Sequence, residues 1–353
     1  MTGLIAVVVL IVLIVVVFKG GSTPPPSAST TTTTSTGSPA DPDHKSVTLA
    51  FGGDVHFQGA LGTRLATDAT TALGPTVAKL MAGSSLSMAT FDSALTDGTC
   101  PDPQSKPFVW YSPASALTAM KAGGISVVTM ATDHGEDCGQ AGLQMSLTEA
   151  DAAHFPVIGI GSTASQAYAA YRTTVDGQRI AVVAGTQIFP PNLQSAWTAT
   201  GSRPGLAAAA GLVAAVKAVR ATADTVVVYV HWGTTAQTCP NAQQKSLAKA
   251  LVAAGADVVV GSGSHVQQGA GYLGKALVDY GLGNLAFYDT TTPETYSGTL
   301  LVTVTGRHVD TMSWRPALIA DDVPEALSGT AATAAVNRWD GLRSCTGLSA
   351  QPK

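Results

Sequence analysis

The globular part of the chain begins with Val47-Thr48-Leu49-Ala50-Phe51-Gly52-Gly53-Asp54-Val55-His56, an apolar run that ends in a carboxylate and an imidazole. Similar short apolar runs recur at residues 86–91, 125–130, 180–184, 226–230, 258–260 and 276–280. Alanine-rich stretches of helical character lie between them, for example at residues 113–122, 206–221 and 242–254. Because continuous Val and Ile runs bounded by glycine are typical of buried strands, this alternation predicts an α/β fold. Two further runs, residues 300–304 and 309–314, flank Gly306 and predict a C-terminal β-hairpin.

Composition limits the class of protein. Charged residues make up 12% of the 353 positions, and the net charge is −4. Soluble domains usually carry about 25% charged residues. A protein that holds nucleic acid on a broad basic surface would need the opposite balance, and five Trp with eight Phe are few for base-stacking platforms. We therefore expect no nucleic-acid partner.

Polar side chains that bind metals recur at one kind of position, at or just after the end of an apolar run. The seven residues that share this position are Asp54, His56, Asp92, Asp133, His134, His231 and His265. In open α/β sheets the carboxyl ends of the strands line the ligand crevice. We therefore expect these side chains to converge on one site.

This set of carboxylates and imidazoles suits a pair of divalent ions such as Zn, Mn or Fe. Two ions about 3.5–4 Å apart can stabilise both the attacking and the leaving oxygen of a displacement reaction. The alternative for each histidine is an ordinary capping or turn residue after a strand, and only the fourfold repetition favours ligands. His44, His154 and His308 lack this context and are predicted to lie on the surface.

One stretch resembles a nucleotide-binding loop but lacks its key features. Gly269-Ala270-Gly271-Tyr272-Leu273-Gly274-Lys275 is followed by Ala276, where a phosphate-binding loop needs Ser or Thr for magnesium. It also leads into a predicted strand, whereas the phosphate cradle requires a helix N-terminus. No nucleotide site is predicted there.

The N-terminal region predicts a membrane segment and a linker. Residues 4–18 are fifteen consecutive apolar residues, which as a helix span roughly 22 Å of a ~30 Å hydrocarbon core. No basic residue precedes the run and no A-x-A site follows it, so we expect an uncleaved anchor over residues 1–19 and keep a signal peptide as the alternative. Lys19 follows the run, which by the positive-inside rule would place the domain in the cytoplasm. Residues 20–45 are rich in Ser, Thr and Pro and predict a flexible linker, with the globular domain at residues 46–353.

The four cysteines predict two disulfides and therefore favour an extracytoplasmic domain. Cys100, Cys138, Cys239 and Cys345 contain no C-x-x-C pair, which disfavours a zinc knuckle or a thioredoxin-type motif. Three pairings are open, and the sequence does not choose among them. Our preferred pairing is Cys100–Cys138 with Cys239–Cys345; four buried thiols in a cytosolic protein are the alternative.

The motifs at these strand ends resemble those of the CapA family, the poly-gamma-glutamate capsule synthesis proteins. The resemblance extends over residues 46 to about 347. It is carried by Gly53-Asp54-Val55-His56, Thr90-Phe91-Asp92, Ala131-Thr132-Asp133-His134-Gly135 with Asp137 and Gly139, His231-Trp232-Gly233, Gly261 to His265, and Tyr280-Gly281-Leu282-Gly283-Asn284. The resemblance implies a fold similar to calcineurin-like metallophosphoesterases, a sandwich of two β-sheets flanked by helices.

Four positions depart from the pattern of the family. Asp92 stands in place of a Glu, Asp133 in place of an Asn, and Thr235 where a Glu often follows His-Trp-Gly. Gly263 stands where the first His of a His-x-His pattern is usual, so only Ser262 or Ser264 is at hand to replace that imidazole. The chain can therefore hold two ions, one ion or none.

The resemblance also implies a function and assigns roles to the residues. We expect a single-pass membrane protein that helps to make or export an anionic surface polymer such as poly-gamma-glutamate, together with capsule-synthesis partners. The reaction would be metal-assisted hydrolysis or transfer on the polymer or on a phosphoester, with His134 as general acid or as a group that stabilises the transition state. The implied metal ligands are Asp54, His56, Asp92, Asp133, His231 and His265. A non-catalytic polymer-binding or scaffold subunit with a degenerate metal site is the alternative.

Overall fold

The computed structural model describes residues 45–288 and 291–353. The strands in this part of the chain are β1 (Val47–Val55), β2 (Leu86–Phe91), β3 (Ala94–Thr96), β4 (Tyr111–Pro113), β5 (Val127–Thr129), β6 (Val157–Ile158), β7 (Ile160–Gly161), β8 (Tyr171–Val175), β9 (Gln178–Thr186), β10 (Gly205–Leu206), β11 (Thr225–His231), β12 (Val258–Ser262), β13 (Ala270–Leu273), β14 (Ala276–Asp279), β15 (Asn284–Ala286), β16 (Tyr296–Thr305), β17 (His308–Ala320) and β18 (Val323–Ala326). The α-helices are α1 (Gly59–Thr67), α2 (Gly74–Met81), α3 (Ser115–Ala122), α4 (Gly139–Ala152), α5 (Ala164–Ala167), α6 (Gln194–Trp197), α7 (Leu212–Arg220), α8 (Ala242–Ala254) and α9 (Gly329–Gly341), with 3₁₀ turns at Ala209–Gly211 and Leu342–Cys345.

Two large sheets contain most of the strands. The first has the order β18-β17-β16-β1-β2-β5-β6, and β15 also pairs with β1. The second has the order β13-β14-β12-β11-β9-β8. In the first sheet β1, β2, β5 and β6 are parallel, and in the second β9, β11, β12 and β14 are parallel. The predicted mixed α/β class is confirmed.

The inner faces of the two sheets share one hydrophobic core. Phe51 and Met88 from the first sheet belong to the same buried cluster as Val182, Tyr229 and Val260 from the second. The outer faces are covered by helices, with α1 to α4 against the first sheet and α7 and α8 against the second. The arrangement is therefore the two-sheet sandwich flanked by helices that the motifs imply.

Two predicted elements differ in extent from the observed ones. The helix predicted over residues 206–221 begins at Leu212, because Gly205-Leu206 pairs with Gly161-Ile160 as a short antiparallel ladder. The stretch that resembles a nucleotide-binding loop is the antiparallel β13–β14 hairpin, which leaves no helix N-terminus for phosphate. The predicted C-terminal hairpin is confirmed by β16 and β17.

Both predicted disulfides are formed, Cys100–Cys138 and Cys239–Cys345, and no free cysteine remains in residues 45–288 and 291–353. The predicted anchor over residues 1–19 and almost all of the linker lie outside the described residues. Among the helices that are described, none has the length and apolar character needed to cross a membrane.

Candidate metal centre

The carboxyl ends of five strands meet at one edge of the sandwich, and the predicted site residues stand there. Asp54 is in register with Thr90 of β2, which is in register with Thr129 of β5, so the loops after these strands start at one level. In the second sheet the last residue of β11, His231, is in register with Ser262 of β12. Parallel pairing thus explains why residues that are far apart in sequence converge, as the sequence predicted.

A chain of alternating acids and imidazoles crosses the edge between the two sheets. One oxygen of Asp54, Oδ2, accepts the main-chain N–H of Gly263 at 3.0 Å and lies 3.5 Å from Nδ1 of His265. The other oxygen lies 3.6 Å from Nδ1 of His231. Nε2 of His231 is 3.1 Å from Oδ1 of Asp133. The structure therefore brings together four of the predicted ligands in one continuous cluster.

The side chains of this cluster shift one another's pKa values. Burial alone would lower the pKa of His231, but the hydrogen bond to Asp133 and the charges of Asp54, Asp92 and Asp133 raise it to about 9. Burial alone would raise the pKa of Asp133, yet the same bond and the charges of His134, His231 and Lys106 hold it below its usual value. Burial raises the pKa of Asp54. The acids and the imidazoles of this cluster thus stabilise one another's charged forms.

Asp92 shows most directly where a cation fits. Its carboxylate is fully buried, and neither oxygen has a hydrogen-bond partner. Ligand atoms of Asp92, Asp133 and His134 all lie within 4.8 Å of one another, the one such group found in residues 45–288 and 291–353. A buried carboxylate without a partner is costly, and a divalent ion would satisfy both oxygens. The residues present therefore fit a metal ion.

His56 lies at the side of this cluster among aromatic rings. Its ring stacks on Phe287 at 4.0 Å and lies 4.7 Å from Trp110. Nε2 accepts the main-chain N–H of Tyr288 at 3.2 Å, while Nδ1 is buried without a partner. Burial and the neighbouring His134 and His265 lower the pKa of His56 well below its usual value. The ring is therefore neutral, and its one lone pair lies on Nε2, where it accepts the N–H of Tyr288, so His56 would bind a metal only in place of that bond.

His134, predicted as the general acid, is held from two sides. Its Nδ1 lies 2.6 Å from Oδ2 of Asp137, and its Nε2 lies 3.9 Å from Oδ2 of Asp133. The ring of Trp110 stacks on the imidazole at 3.7 Å with an interplanar angle of 13°. Lys106 Nζ contacts Asp137 at 2.7 Å. Because the ring also belongs to the three-residue group around Asp92, His134 is placed to act as an acid or as a ligand.

Gly263, where the resemblance implies an imidazole, is tightly enclosed. Its φ is +94°, and a Cβ there would lie 2.9 Å from Nε2 of His231. A side chain at this position therefore requires both strain and displacement of that ring. Ser262 Oγ already contacts Thr90 at 2.7 Å and His231 at 3.2 Å, and Ser264 Oγ donates to a main-chain oxygen. Both serine hydroxyls are thus engaged within the protein.

Some site residues were missed by the sequence reasoning. Asn284 lies 2.9 Å from Nδ1 of His265 and pairs with Asp54 through β15. Asp137 and Asn284 stood only as parts of motifs without a role. Lys106 and Trp110 precede β4 in an irregular segment, and no strand end or spacing marked them.

Three of the histidines were predicted to lie on the surface. His154 is exposed, and His308 is half-buried and pairs with Asp310 at 2.8 Å. His44 lies outside the described residues.

Comparison with known proteins shows which proteins the chain is similar to. A family model described as bacterial capsule synthesis protein PGA_cap matches residues 48–289. The chain is 30% identical over 177 residues to capsule biosynthesis protein CapA of Bacillus anthracis, a match that covers 48% of this chain and 42% of that protein. It is 27% identical over 175 residues to PGA biosynthesis protein CapA of Bacillus subtilis (strain 168), covering 49% of this chain and 45% of that one. The match thus spans less than half the length of these curated relatives.

A solved structure supports the fold. The crystal structure described as a novel phosphatase from Mycoplasma pneumoniae superposes with a TM-score of 0.50 at 11% identity, covering 78% of this chain and 94% of that one. At this identity the likeness concerns the fold alone. The resemblance seen in the motifs is confirmed by the family model, which spans more than half of the chain. The chain belongs to the bacterial capsule synthesis protein PGA_cap family.

Proposed function

We propose that this chain is a membrane-tethered, extracytoplasmic member of its family that uses a metal-dependent hydrolase-type centre in making or exporting an anionic surface polymer. The names of its relatives connect the family with capsule and with PGA biosynthesis, which makes poly-gamma-glutamate or a related polymer the candidate product. The observation that carries the catalytic part is Asp92, a buried carboxylate with no partner beside Asp133 and His134.

The metal would be held by the acids and imidazoles at the carboxyl ends of the strands. When bound, one or two ions of Mn, Zn or Fe would supply Lewis-acid polarisation of the substrate oxygens. The residues that would hold them are Asp54, His56, Asp92, Asp133, His231 and His265. A metal at this edge would also supply the positive charge that an anionic polymer or phosphoester needs, since the net charge of the chain is −4.

His134 would move the proton. Nδ1 of His134 lies 2.6 Å from Oδ2 of Asp137 and 3.1 Å from Nζ of Lys106. We assign the proton to Nδ1 because the carboxylate is the closer partner and can only accept, so Nε2 is the nitrogen that faces the acids of the site. In the imidazolium form, Nε2–H would donate to the leaving oxygen. We expect His134→Ala to abolish turnover of a phosphoester probe while the metal content stays nearly unchanged. Loss of the metal in this variant would make His134 a ligand, and retained turnover would exclude both roles.

The extracytoplasmic location is supported by the two disulfides. Bonds of this kind persist in oxidising compartments and are rare in the cytosol. We propose that the apolar run at residues 4–18 tethers the domain to the membrane and that capsule-synthesis partners act beside it. Protease treatment of intact cells tests the topology: a protected domain would contradict it.

Elemental analysis tests the metal centre. The purified chain is dialysed against trace Mn, Zn and Fe, and we expect at least one ion per chain, lost in Asp92→Asn. Asp310→Asn is the matched control, since Asp310 lies 2.8 Å from a histidine, His308, but in the hairpin at the opposite end of β1. A folded chain without metal, or equal metal in both variants, would contradict the proposal.

A second candidate function is supported by the region around Gly263. The missing imidazole and the bond between His231 and Asp133 favour a degenerate site in a scaffold or polymer-binding subunit. In that case the double variant Asp54→Ala/His231→Ala would still restore polymer to cells that lack the chain. Loss of polymer in the folded double variant would favour the hydrolase.

A further inference from the structure

Residues 100–110 connect the region of β3 to β4, and we call them the clamp segment. They contact the turn that carries His134 at polar points. Lys106 Nζ lies 2.7 Å from Oδ1 of Asp137, and its side chain is 7% exposed. The main-chain N–H of Trp110 donates to the other oxygen of Asp137 at 2.7 Å. The clamp segment thus engages both oxygens of the carboxylate that holds Nδ1 of His134.

The clamp segment also fixes the plane of the imidazole. Trp110 stacks on His134 at 3.7 Å, and its own ring is backed by His56 at 4.7 Å and Phe287 at 5.6 Å. A stacked ring and a hydrogen bond to Nδ1 together remove rotation about both side-chain torsions. Nε2 therefore keeps its orientation towards Asp133.

The clamp segment has no helix or strand of its own. It lies between β3 and β4, which form a two-stranded sheet apart from the two large ones. Its covalent link is the disulfide from Cys100 to Cys138, the residue that follows Asp137. The main-chain N–H of Gln104 also donates to the main-chain oxygen of Asp137 at 2.9 Å. An irregular segment depends on such ties to stay in one place.

We infer that residues 100–110 are a positioning device for His134, with Lys106 and Trp110 as positioning residues and the Cys100–Cys138 disulfide as the tie that keeps them against the turn. The inference rests on the proposed role of His134 in proton transfer. Without the tie, Asp137 loses its ammonium and main-chain partners, and the imidazole is free to rotate. Proton transfer tolerates little such misplacement, whereas the metal ligands stand on the strands and stay in place.

The second disulfide provides a matched control. Cys239–Cys345 closes a separation of 106 residues, against 38 for Cys100–Cys138. The loss of the longer closure should lower the free energy of unfolding at least as much. If only the loss of Cys100–Cys138 affects His134, the cause is therefore a change in the position of the ring and not a general loss of stability.

Nitrogen NMR of the full chain, labelled with [¹⁵N]histidine and free of metal, measures the position of His134 without any activity. We expect a protected Nδ1–H signal for His134, assigned by its absence in His134→Gln. It should be lost in Cys100→Ser/Cys138→Ser and kept in Cys239→Ser/Cys345→Ser. A signal that survives in both pairs, or is lost in both, would overturn the inference.

Lys106 variants test the same device without touching a disulfide. For the metal-loaded chain with p-nitrophenyl phosphate, Lys106→Met should lower kcat by roughly 10–100-fold, with KM and metal content nearly unchanged. Lys106→Arg keeps the charge and should recover most of kcat. An unchanged kcat in Lys106→Met, or lost metal, would overturn the inference. A wild-type chain that binds metal but hydrolyses no phosphoester contradicts the proposed function instead, and the NMR comparison then decides the inference alone.

Discussion

Buried acids at the two ends of the parallel strands differ in the partners that the chain gives them. At the start of β12, Asp257 is 4% exposed, and its oxygens are paired with Arg220, with Nε of Arg307 at 3.1 Å, and with the main-chain N–H of Val226 at 2.8 Å. At the carboxyl ends of the strands, Asp92 is fully buried, and neither of its oxygens has a hydrogen-bond partner.

The difference shows how a fold separates structure from function. A buried carboxylate needs a compensating charge or hydrogen bonds, because its transfer out of water is costly. At the Asp257 end the chain itself supplies a guanidinium. At the Asp92 end the described residues supply the nearby charge of His231 but no hydrogen bond, so both oxygens stay open to something that binds. The orphaned acid is therefore the better indicator of a site.

The largest effect is expected where the chain itself supplies the partners of the buried acid, at Asp257. Arg220→Met removes the main partner of Asp257, and we expect the free energy of unfolding to fall by about 3–5 kcal/mol in urea titrations. Arg179→Met is the matched control, because Arg179 pairs with Asp224 while 58% exposed, and such a pair is worth about 0–1 kcal/mol. Equal losses in the two variants would show that Asp257 does not need its partner.

The next largest effect is expected from metal binding at the Asp92 end of the strands. At a free metal concentration of 100 times Kd, the ion should raise the free energy of unfolding by about 2.7 kcal/mol. Arg220→Met should show the same gain, since its end of the strands does not bind the metal. Thermal unfolding with metal and with chelator measures this gain in stability. A gain that persists in Asp92→Asn would show that the metal binds elsewhere than at this edge.

Opposite signs are expected when each acid is made neutral in metal-free protein. Asp92→Asn removes an unsatisfied buried charge and should stabilise the fold by about 1–3 kcal/mol. Asp257→Asn leaves Arg220 without its carboxylate and should destabilise it. Urea titrations in chelator compare the two variants, and a destabilised Asp92→Asn would mean that the protein already compensates this carboxylate.

The same contrast explains what the sequence could predict. Apolar runs mark strands, and parallel strands bring their ends together, so Asp54, Asp92 and His231 could be placed at one edge from pattern alone. Lys106 and Trp110 could not, because their position depends on tertiary ties of an irregular segment and no periodicity records such ties. The start of α7 was missed for a related reason, since Gly205-Leu206 reads as helix locally but pairs with a distant strand.

Asp279, at the end of β14, compensates its burial in a third way. It is fully buried, one oxygen accepts the main-chain N–H of Gly281 at 2.8 Å, and the other has no partner. Burial raises its pKa to about 7. An acid in this position avoids the cost of a buried charge by keeping its proton, which Asp257 achieves with arginines and Asp92 leaves to a ligand.

This third solution predicts a pH dependence of stability. Because the pKa of Asp279 is higher in the folded chain than in the unfolded chain, the folded state binds the extra proton, and the free energy of unfolding falls as the pH rises through 7. Between pH 6 and 8 the loss from this group is about 1.4 kcal/mol. Asp279→Asn keeps an acceptor for Gly281 but cannot ionise, so its stability should be flatter over this range in urea titrations at each pH. A variant whose stability changes with pH as steeply as that of the wild-type chain would show that Asp279 is ionised throughout. Asp279 would then be a buried charge with neither an arginine nor a metal beside it, which would contradict the rule that Asp257 and Asp92 suggest.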